Sequence, residues 1–273
     1  MAYLRSHYQV SERRACSVVG QPRSVQWYKS RRPPQDALKR RIKEISEVRI
    51  RYGYKRIYVM LRREGWPVNH KRVQRLYCEL GLQLRSRRPR RHVSAAHRQP
   101  PRRLAQRANE AWCMDFMADQ LVSGRRIRLL TIVDVFTREC LAIDVAPRLR
   151  SEDVVRTLTK LAGVRGAPAR ICCDNGSEFQ SRLVDLWAYT NNVQLEFSRP
   201  GKPTDNAHIE SFNGSLRDEC LNIHWFRSLI DAREKLEAWR IDYNESRPHK
   251  ALNHRTPNEF AALMANEARK FSG

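Results

Sequence analysis

Residues 84–107 carry nine arginines and three prolines with no acidic residue, and a stretch of that composition buries too little apolar surface to fold by itself. It reads as a flexible basic linker able to follow phosphates, so folded bodies are expected on either side of it. The charge is equally lopsided. Residues 1–110 hold 29 Lys and Arg against 7 Asp and Glu, a net of +22, whereas residues 111–273 hold 23 against 22, a net of +1. The total of +23 over 273 residues is the balance of a polyanion-binding protein.

The same numbers exclude several classes. With 41% hydrophobic residues the chain is not compositionally disordered, and its length allows a sizeable core without disulfides or metals. No apolar run approaches the roughly 18 to 20 residues of a membrane helix. Residues 1–10 lack the apolar stretch of a secretory signal, so a cytosolic protein is expected, and its charge leads us to expect association with the nucleoid. On that reading the seven cysteines are reduced thiols. They do not spell a zinc site: Cys172 and Cys173 are adjacent, the others are scattered, and no histidine accompanies a Cys-x-x-Cys pair, close as His92 and His97 are to one another.

Residues 1–34 show no long periodicity, and Arg31-Arg32-Pro33-Pro34 marks a boundary. From Asp36, Leu38, Ile42, Ile45 and Ile50 recur at near-helical spacing until Gly53 interrupts. A second helical segment around Ile57 and Leu61 ends at Gly65. A third follows Asn69, a good N-cap, with Val73, Leu76, Tyr77 and Leu80 before Gly81. A small helical bundle with a solvated basic face is the plain reading; the charge of this half favours a helix-turn-helix whose third helix displays Lys71, Arg72 and Arg75.

After Glu110 the pattern turns to strands. Residues 111–117, 127–134 and 139–145 read as an antiparallel meander. A helix over 151–163, a strand over 169–173, a helix over 181–190, a strand over 193–197 and a helix within 203–220 complete an α/β arrangement, a mixed sheet covered by helices. Residues 229–243 form a further amphipathic helix, expected to pack on the core. The tryptophans at 112, 187, 225 and 239 are assigned to packing. Arg247 to Lys250, with His254-Arg255, read as a capping loop or as added DNA contacts.

Three carboxylates stand out. Asp115 lies inside an apolar strand, where an ionised carboxylate costs several kcal/mol unless it is paired or binds a cation. Asp174 ends the strand Ile171-Cys172-Cys173 and opens the polar turn Asn175-Gly176-Ser177. Glu210 sits among Ile209, Phe212, Leu216 and Cys220, an apolar stripe at helical spacing, with 35 residues between it and Asp174. Arg217, seven residues on, returns to nearly the same helix face. Two carboxylates from neighbouring strands and one from a facing helix suit two divalent cations about 4 Å apart, an arrangement for in-line displacement at phosphodiesters. Magnesium fits such hard oxygen donors. With 29 acidic residues, three at strand ends can be chosen in almost any α/β domain; Asp134, Asp144 and Glu178 are rivals, and Asp134 is a candidate supporting group. Lys202 is a candidate phosphate contact. His208 either faces DNA or is a partly exposed helix residue.

The segments WCMDF, CCDNGSEF and RPGKPTDNAHIESFNGSLRDEC, followed by YNESRPHKALNHRTPNEF, resemble the insertion-sequence transposases of the IS-three family, specifically their second-frame product, OrfB. The resemblance spans about residues 36–260. It implies an α/β, ribonuclease H-like catalytic core, similar to that of retroviral integrases, preceded by a small all-α helix-turn-helix-like domain. It also implies that Asp115, Asp174 and Glu210 are catalytic and metal-binding, that Arg217 contacts DNA near the scissile phosphate, and that two magnesium ions serve as cofactor, with manganese able to substitute. Domain limits on this reading are 1–34 (N-terminal segment), 35–84 (helix-turn-helix-like), 85–109 (basic linker), 110–222 (core) and 223–273 (C-terminal helical extension on the core). The expected DNA contacts add Lys202, Lys71, Arg72, Arg75 and the linker arginines Arg85, Arg87, Arg88, Arg90 and Arg91. Family members cut one strand at an element end and join its 3′-hydroxyl to another phosphodiester, usually as a fusion with a first-frame product (OrfA), and a homo-oligomer is expected on DNA. Apolar heptads of that partner's coiled coil are absent from residues 1–34. A catalytically silent DNA-binding scaffold and a hydrolytic nuclease are the competing functions.

Overall fold

The structure, a computed structural model, describes residues 1–29, 35–84, 105–199 and 206–271. Backbone packing divides the chain into two compact units, Met1–Arg41 and Ile42–Gly273. The first contains three short helices that the missing periodicity did not announce: α1 (Ala2–Tyr8), α2 (Glu12–Val19) and α3 (Ser24–Trp27). Local signals set them. Ser11 caps α2 by accepting from the Arg14 amide at 3.3 Å, and Gly20 ends it at φ 67°, a left-handed conformation that a side chain disfavours. Such helices are too short to repeat an apolar face; α2 buries Ala15 and Cys16 alone. Helix α4 (Asp36–Val48) runs through the boundary of the two units.

In the second unit, α5 (Tyr54–Arg63) and α6 (His70–Glu79) pack together, with Ile57, Leu61, Val73 and Leu76 buried. Asn69 caps α6 as its chemistry predicts, accepting from the Lys71 amide at 3.0 Å. Lys71, Arg72 and Arg75 are exposed on α6, and Arg75 is paired with Glu79 at 3.4 Å. The linker positions Arg85, Arg87, Arg88, Arg90 and Arg91 lie outside the described residues, as does Lys202.

Strands β1 (Ala111–Gln120), β2 (Arg126–Asp134), β3 (Cys140–Ala146), β4 (Arg170–Cys173) and β5 (Gln194–Phe197) form one sheet in the order β3-β2-β1-β4-β5. The first three are the expected antiparallel meander; β4 lies parallel to β1, and β5 parallel to β4. Helices α7 (Ser151–Arg165) and α8 (Arg182–Thr190) carry the chain between parallel strands, as the parallel geometry requires. Side chains alternate across β1. Trp112 and Met114 join one core with Leu158 of α7 and Val184 of α8. Cys113 and Met117 join the other, covered by α9 (Ala207–Leu216) and α10 (Leu229–Glu245) through Ile209, Phe212, Leu216 and Leu236.

The strand β3 would leave an open edge at Cys140, where the β2–β3 register shifts. Asn244 of α10 closes it, its amide oxygen accepting from the Cys140 N–H at 2.8 Å and its amide nitrogen donating to the Cys140 carbonyl at 2.9 Å. Two elements depart from expectation. The apolar stripe through Cys220 does not extend one straight helix: after Leu216 the coil widens into a π-helical turn (Arg217–Leu221), with the Asn222 amide bonding to the Arg217 carbonyl five residues back at 2.9 Å. The chain also adds α11 (Pro257–Phe271). Its start is a Thr256-to-Glu259 capping box, in which the Glu259 amide donates to Thr256 Oγ1 at 3.2 Å and the Thr256 amide to Glu259 Oε2 at 2.8 Å, with proline in the first helical position.

Arginines before and within α5 bind carboxylates of the C-terminal helices. Arg49 grips Asp242 with two guanidinium nitrogens, Arg51 meets Asp218 at 2.7 Å, Arg56 meets Glu219 at 3.3 Å and Arg63 meets Glu259 at 2.7 Å. Glu219 is the hub. It also accepts from Arg247, which is 4% exposed, at 2.6 and 2.8 Å, and Arg247 donates to Ser215 Oγ at 3.1 Å. The loop beginning at Arg247 therefore caps the fold; its arginine is not presented to DNA.

Candidate active site

Asp115 shares the α9 face of β1 with Cys113 and Met117. Cys113 is level with Cys172 in the parallel β1–β4 register, so two positions further along each chain Asp115 and Asp174 leave adjacent strands on the same face and at the same height. Above them α9 presents Glu210 and, one turn later, Asn213. Asn213 is 8% exposed; its amide nitrogen donates to Asp115 Oδ2 at 2.7 Å, and its amide oxygen accepts from Thr131 Oγ1 at 3.0 Å. Thr131 stands opposite Asp115 on β2 and reaches the Asp115 carbonyl at 3.2 Å. One buried amide thus fixes helix, strand and carboxylate relative to one another.

Asp115 is half-buried, and burial is the main reason its pKa is pushed up to about 6; the negative charges of Asp174 and Glu210 push the same way, while the Phe116 N–H and the Asn213 amide oppose them. All three carboxylates therefore share one electrostatic neighbourhood. Asp174 and Glu210 are exposed. Among the described residues no three His, Cys, Asp or Glu side chains stand close enough together to hold an ion.

The polar turn after β4 holds Asp174 in place. The Gly176 amide donates to Asp174 Oδ1 at 3.0 Å, and a Cβ on Gly176 would stand 3.0 Å from the same oxygen, so a side chain there would displace the carboxylate. Asn175 donates to the Ser198 carbonyl at 2.9 Å, tying the turn to the end of β5. Arg217, expected at the scissile phosphate, donates to the Ala118 carbonyl at 3.3 Å, three residues along β1 from Asp115. His208 is half-buried, on the face turned to Arg138, whose guanidinium contacts its Nδ1; burial first, and then that positive charge, lowers its pKa to about 4.

The rival acids are structural. Asp134 is fully buried and accepts from the backbone amides of Asn109, Phe136 and Thr137 at 2.8 to 2.9 Å, so it organises the β2–β3 turn and does not support the other carboxylates. Asp144 accepts from Thr157 and Glu178 from Arg128. Of the tryptophans, 112, 187 and 239 are packed as expected, whereas Trp225 is 80% exposed. Asn213 escaped the reading of the sequence, although its place three residues after Glu210 puts both on neighbouring helix positions.

A helix-turn-helix-like domain matches residues 33–90, and integrase core domains match residues 105–203 and 191–257. Fold and site together therefore define an integrase-core protein with a helix-turn-helix-like domain ahead of the core. An insertion element IS407 protein of 31.7 kDa from Burkholderia multivorans is 47% identical over 263 residues, which is 96% of this chain and 94% of that one. The transposase-like InsK protein of insertion sequence element IS150 from Escherichia coli is 29% identical over 94% of this chain and 95% of its own. The chain belongs to the insertion-sequence transposases of the IS-three family, as a second-frame (OrfB) product. A chain of the simian T-cell lymphotropic virus intasome, solved by cryo-electron microscopy with PP2A regulatory subunit B56 gamma, superposes with a TM-score of 0.50 at 16% identity, covering 81% of this chain and 73% of that one. That likeness is one of fold, the ribonuclease H-like integrase fold.

Proposed function

We propose that this transposase cleaves a DNA strand at an element end and joins the freed 3′-hydroxyl to a second phosphodiester, with Asp115, Asp174 and Glu210 holding two magnesium ions. The observation that carries this reading is the placement of a half-buried Asp115 beside Asp174 at the end of the neighbouring strand and under Glu210 of α9, whose negative charges help to raise its pKa. A half-buried acid among like charges is disfavoured unless a cation is part of the site, and an all-carboxylate donor set suits a hard ion such as magnesium or manganese. When bound, the ions supply Lewis-acid stabilisation of the attacking and leaving oxygens. Asn213 orients the Asp115 carboxylate, and Arg217, with one of its five donors on the Ala118 carbonyl, has the others for a phosphate. Lys71, Arg72, Arg75, Lys202 and the linker arginines supply phosphate contacts in this reading, and a first-frame partner and self-association on DNA belong to it. With magnesium and labelled duplexes carrying the element's ends, the protein should yield joined product; cleaved ends without any joining would make it a nuclease instead.

Two measurements probe the carboxylates further. Protons compete with cations at Asp115, so divalent-ion affinity is expected to rise about tenfold per pH unit below about 6 and to level off above it. The contribution of Asp115 to the stability of the metal-free protein runs the other way: it is fully present below the ordinary aspartate pKa near 4 and is lost as pH rises through about 6, because the ionised form is the disfavoured one. Asp174→Asn removes one neighbouring charge and shifts the inflection down, which calorimetric titration with Mn2+ from about pH 5 to 8 reads directly; an unmoved inflection takes Asp174 out of the site. Asn213→Ala is expected to lower ion affinity and joining by about 10- to 100-fold, as loss of a ligand's orienting partner does. Joining restored by excess metal ion identifies the defect as one of ligand orientation.

A further inference from the structure

The exposed indole of Trp225 is not a stray loop residue. Its neighbour Phe226 is 2% exposed, within the core on the α9 face of the sheet. The Phe226 carbonyl accepts from the Val122 amide at 2.9 Å at the β1–β2 hairpin, and Lys235 Nζ donates to the Trp225 carbonyl at 3.2 Å. The backbone is held on both sides while the ring, 80% exposed, is turned outward; Val122, bonded to Phe226, and Ile223, two residues before the ring, are exposed as well. An aromatic ring held in water forgoes about 2 kcal/mol or more of burial unless something covers it.

The surrounding charge selects the partner. Arg125 and Arg126 on the hairpin and Arg227 beside the ring are exposed and make no ion pair among the described residues. Of the nearby acids, Asp231 is paired, accepting from Lys235 at 2.9 Å and from the Arg227 amide at 2.8 Å, while Asp119 accepts only from the Gln120 amide, at 2.8 Å. An apolar protein surface docking here would strip water from Arg125 and Arg126, which have no carboxylate partner among the described residues, and from Arg227, which shares Asp231 with Lys235. A polyanion with aromatic faces satisfies ring and arginines together. The place fits as well. From Asp115 to the hairpin turn at Leu121 the strand rises roughly 20 Å, about six nucleotide steps of DNA, on the same face of the sheet and past Arg217.

We propose that Trp225 is a stacking platform for an unpaired base of DNA lying across the carboxylates, with Arg125, Arg126 and Arg227 on its phosphates. The proposal rests on the reading of the chain as a DNA-joining enzyme, and its ligand is DNA carrying a single-stranded or distorted segment about six nucleotides from the reacting phosphate. Fluorescence anisotropy of the full chain tests it on a paired duplex, the same duplex with a short unpaired gap, and a single strand, all without metal. Trp225→Ala is expected to weaken binding of the gapped and single-stranded probes about tenfold and to leave the paired duplex nearly unchanged, whereas Trp225→Phe retains the preference. Arg125→Ala with Arg126→Ala weakens all three probes and flattens the salt dependence by about two counterions. Equal binding of the probes by the unaltered chain, or equal effects of Trp225→Ala on all of them, overturns the proposal. So does a change of oligomeric mass on Trp225→Ala, which assigns the ring to a protein interface. Because only binding is read, a preference lost in Trp225→Ala by a protein that never joins strands would sink the activity and spare the platform; joining with no such preference would do the reverse.

Discussion

Asp115→Asn is expected to lower strand joining by about a thousandfold or more while DNA binding and melting temperature stay near those of the unaltered protein. The substitution keeps the size of the side chain and one carbonyl oxygen for Asn213, whose amide now donates to Asp115 at 2.7 Å. It forfeits one of two bonds, since the Phe116 amide and the Asn213 amide each use a different carboxylate oxygen. Against that small loss it removes a charge that the folded protein tolerates poorly, as the pKa of about 6 records. Metal-free stability is therefore unchanged or slightly raised, and a fall in joining cannot be assigned to unfolding. Asp174→Asn and Glu210→Gln should behave alike in joining, with smaller changes in stability because both groups are exposed. Gel-based joining assays in magnesium, run beside thermal melts and binding titrations, decide the matter. A variant of Asp115 that still joins strands takes Asp115 out of the catalytic set.

The second large effect is on stability. Glu219→Ala strips the counter-charge from Arg247, which is 4% exposed, and from Arg56, whose guanidinium is 3.3 Å from the same carboxylate. Two guanidinium groups would then face each other with burial already lowering the pKa of Arg56 and the charge of Arg247 adding to it. Removing one partner of a buried pair costs about 3–5 kcal/mol, which for a body of this size lowers the melting temperature by about 10 °C. Replacing Glu219, Arg56 and Arg247 together by apolar residues of similar volume should recover much of that loss. Differential scanning calorimetry reads both; a Glu219→Ala protein that melts within about 2 °C of the unaltered chain would show the hub to be dispensable.

The chain's sequence spelled out the sheet and most of its helices because each carries its signal openly: a short apolar run in β2, a 3.6-residue stripe in α9, a capping asparagine at residue 69. The carboxylates were legible for a different reason, since Asp115 has no apolar explanation in its strand and Asp174 and Glu210 follow in a recognised order. What stayed hidden depends on tertiary contact. Asn213 looks like any polar helix residue until Thr131 and Asp115 are opposite it. Asp134 resembles a neighbour of the site because it ends a strand beside that of Asp115, but the backbone amides of Asn109 and of the following turn bind its carboxylate. Trp225 was read as core because tryptophan generally is; the tie between Val122 and Phe226, distant in sequence, is what turns it outward. Helix α11, like α2, has its signal in local capping chemistry, Thr256-Pro257-Asn258-Glu259, and not in a long apolar period.

The widened turn after Leu216 stores one extra residue of chain, and that residue acts as an angular offset. Before it, the segment carries Glu210 and aims Asn213 at Asp115; within it, Glu219 bonds Arg56 and Arg247. Chemistry and anchorage thus occupy a single coil in different phases, so drift on the anchoring side can proceed without rotating the reactive side, and a one-residue deletion there would disturb both at once.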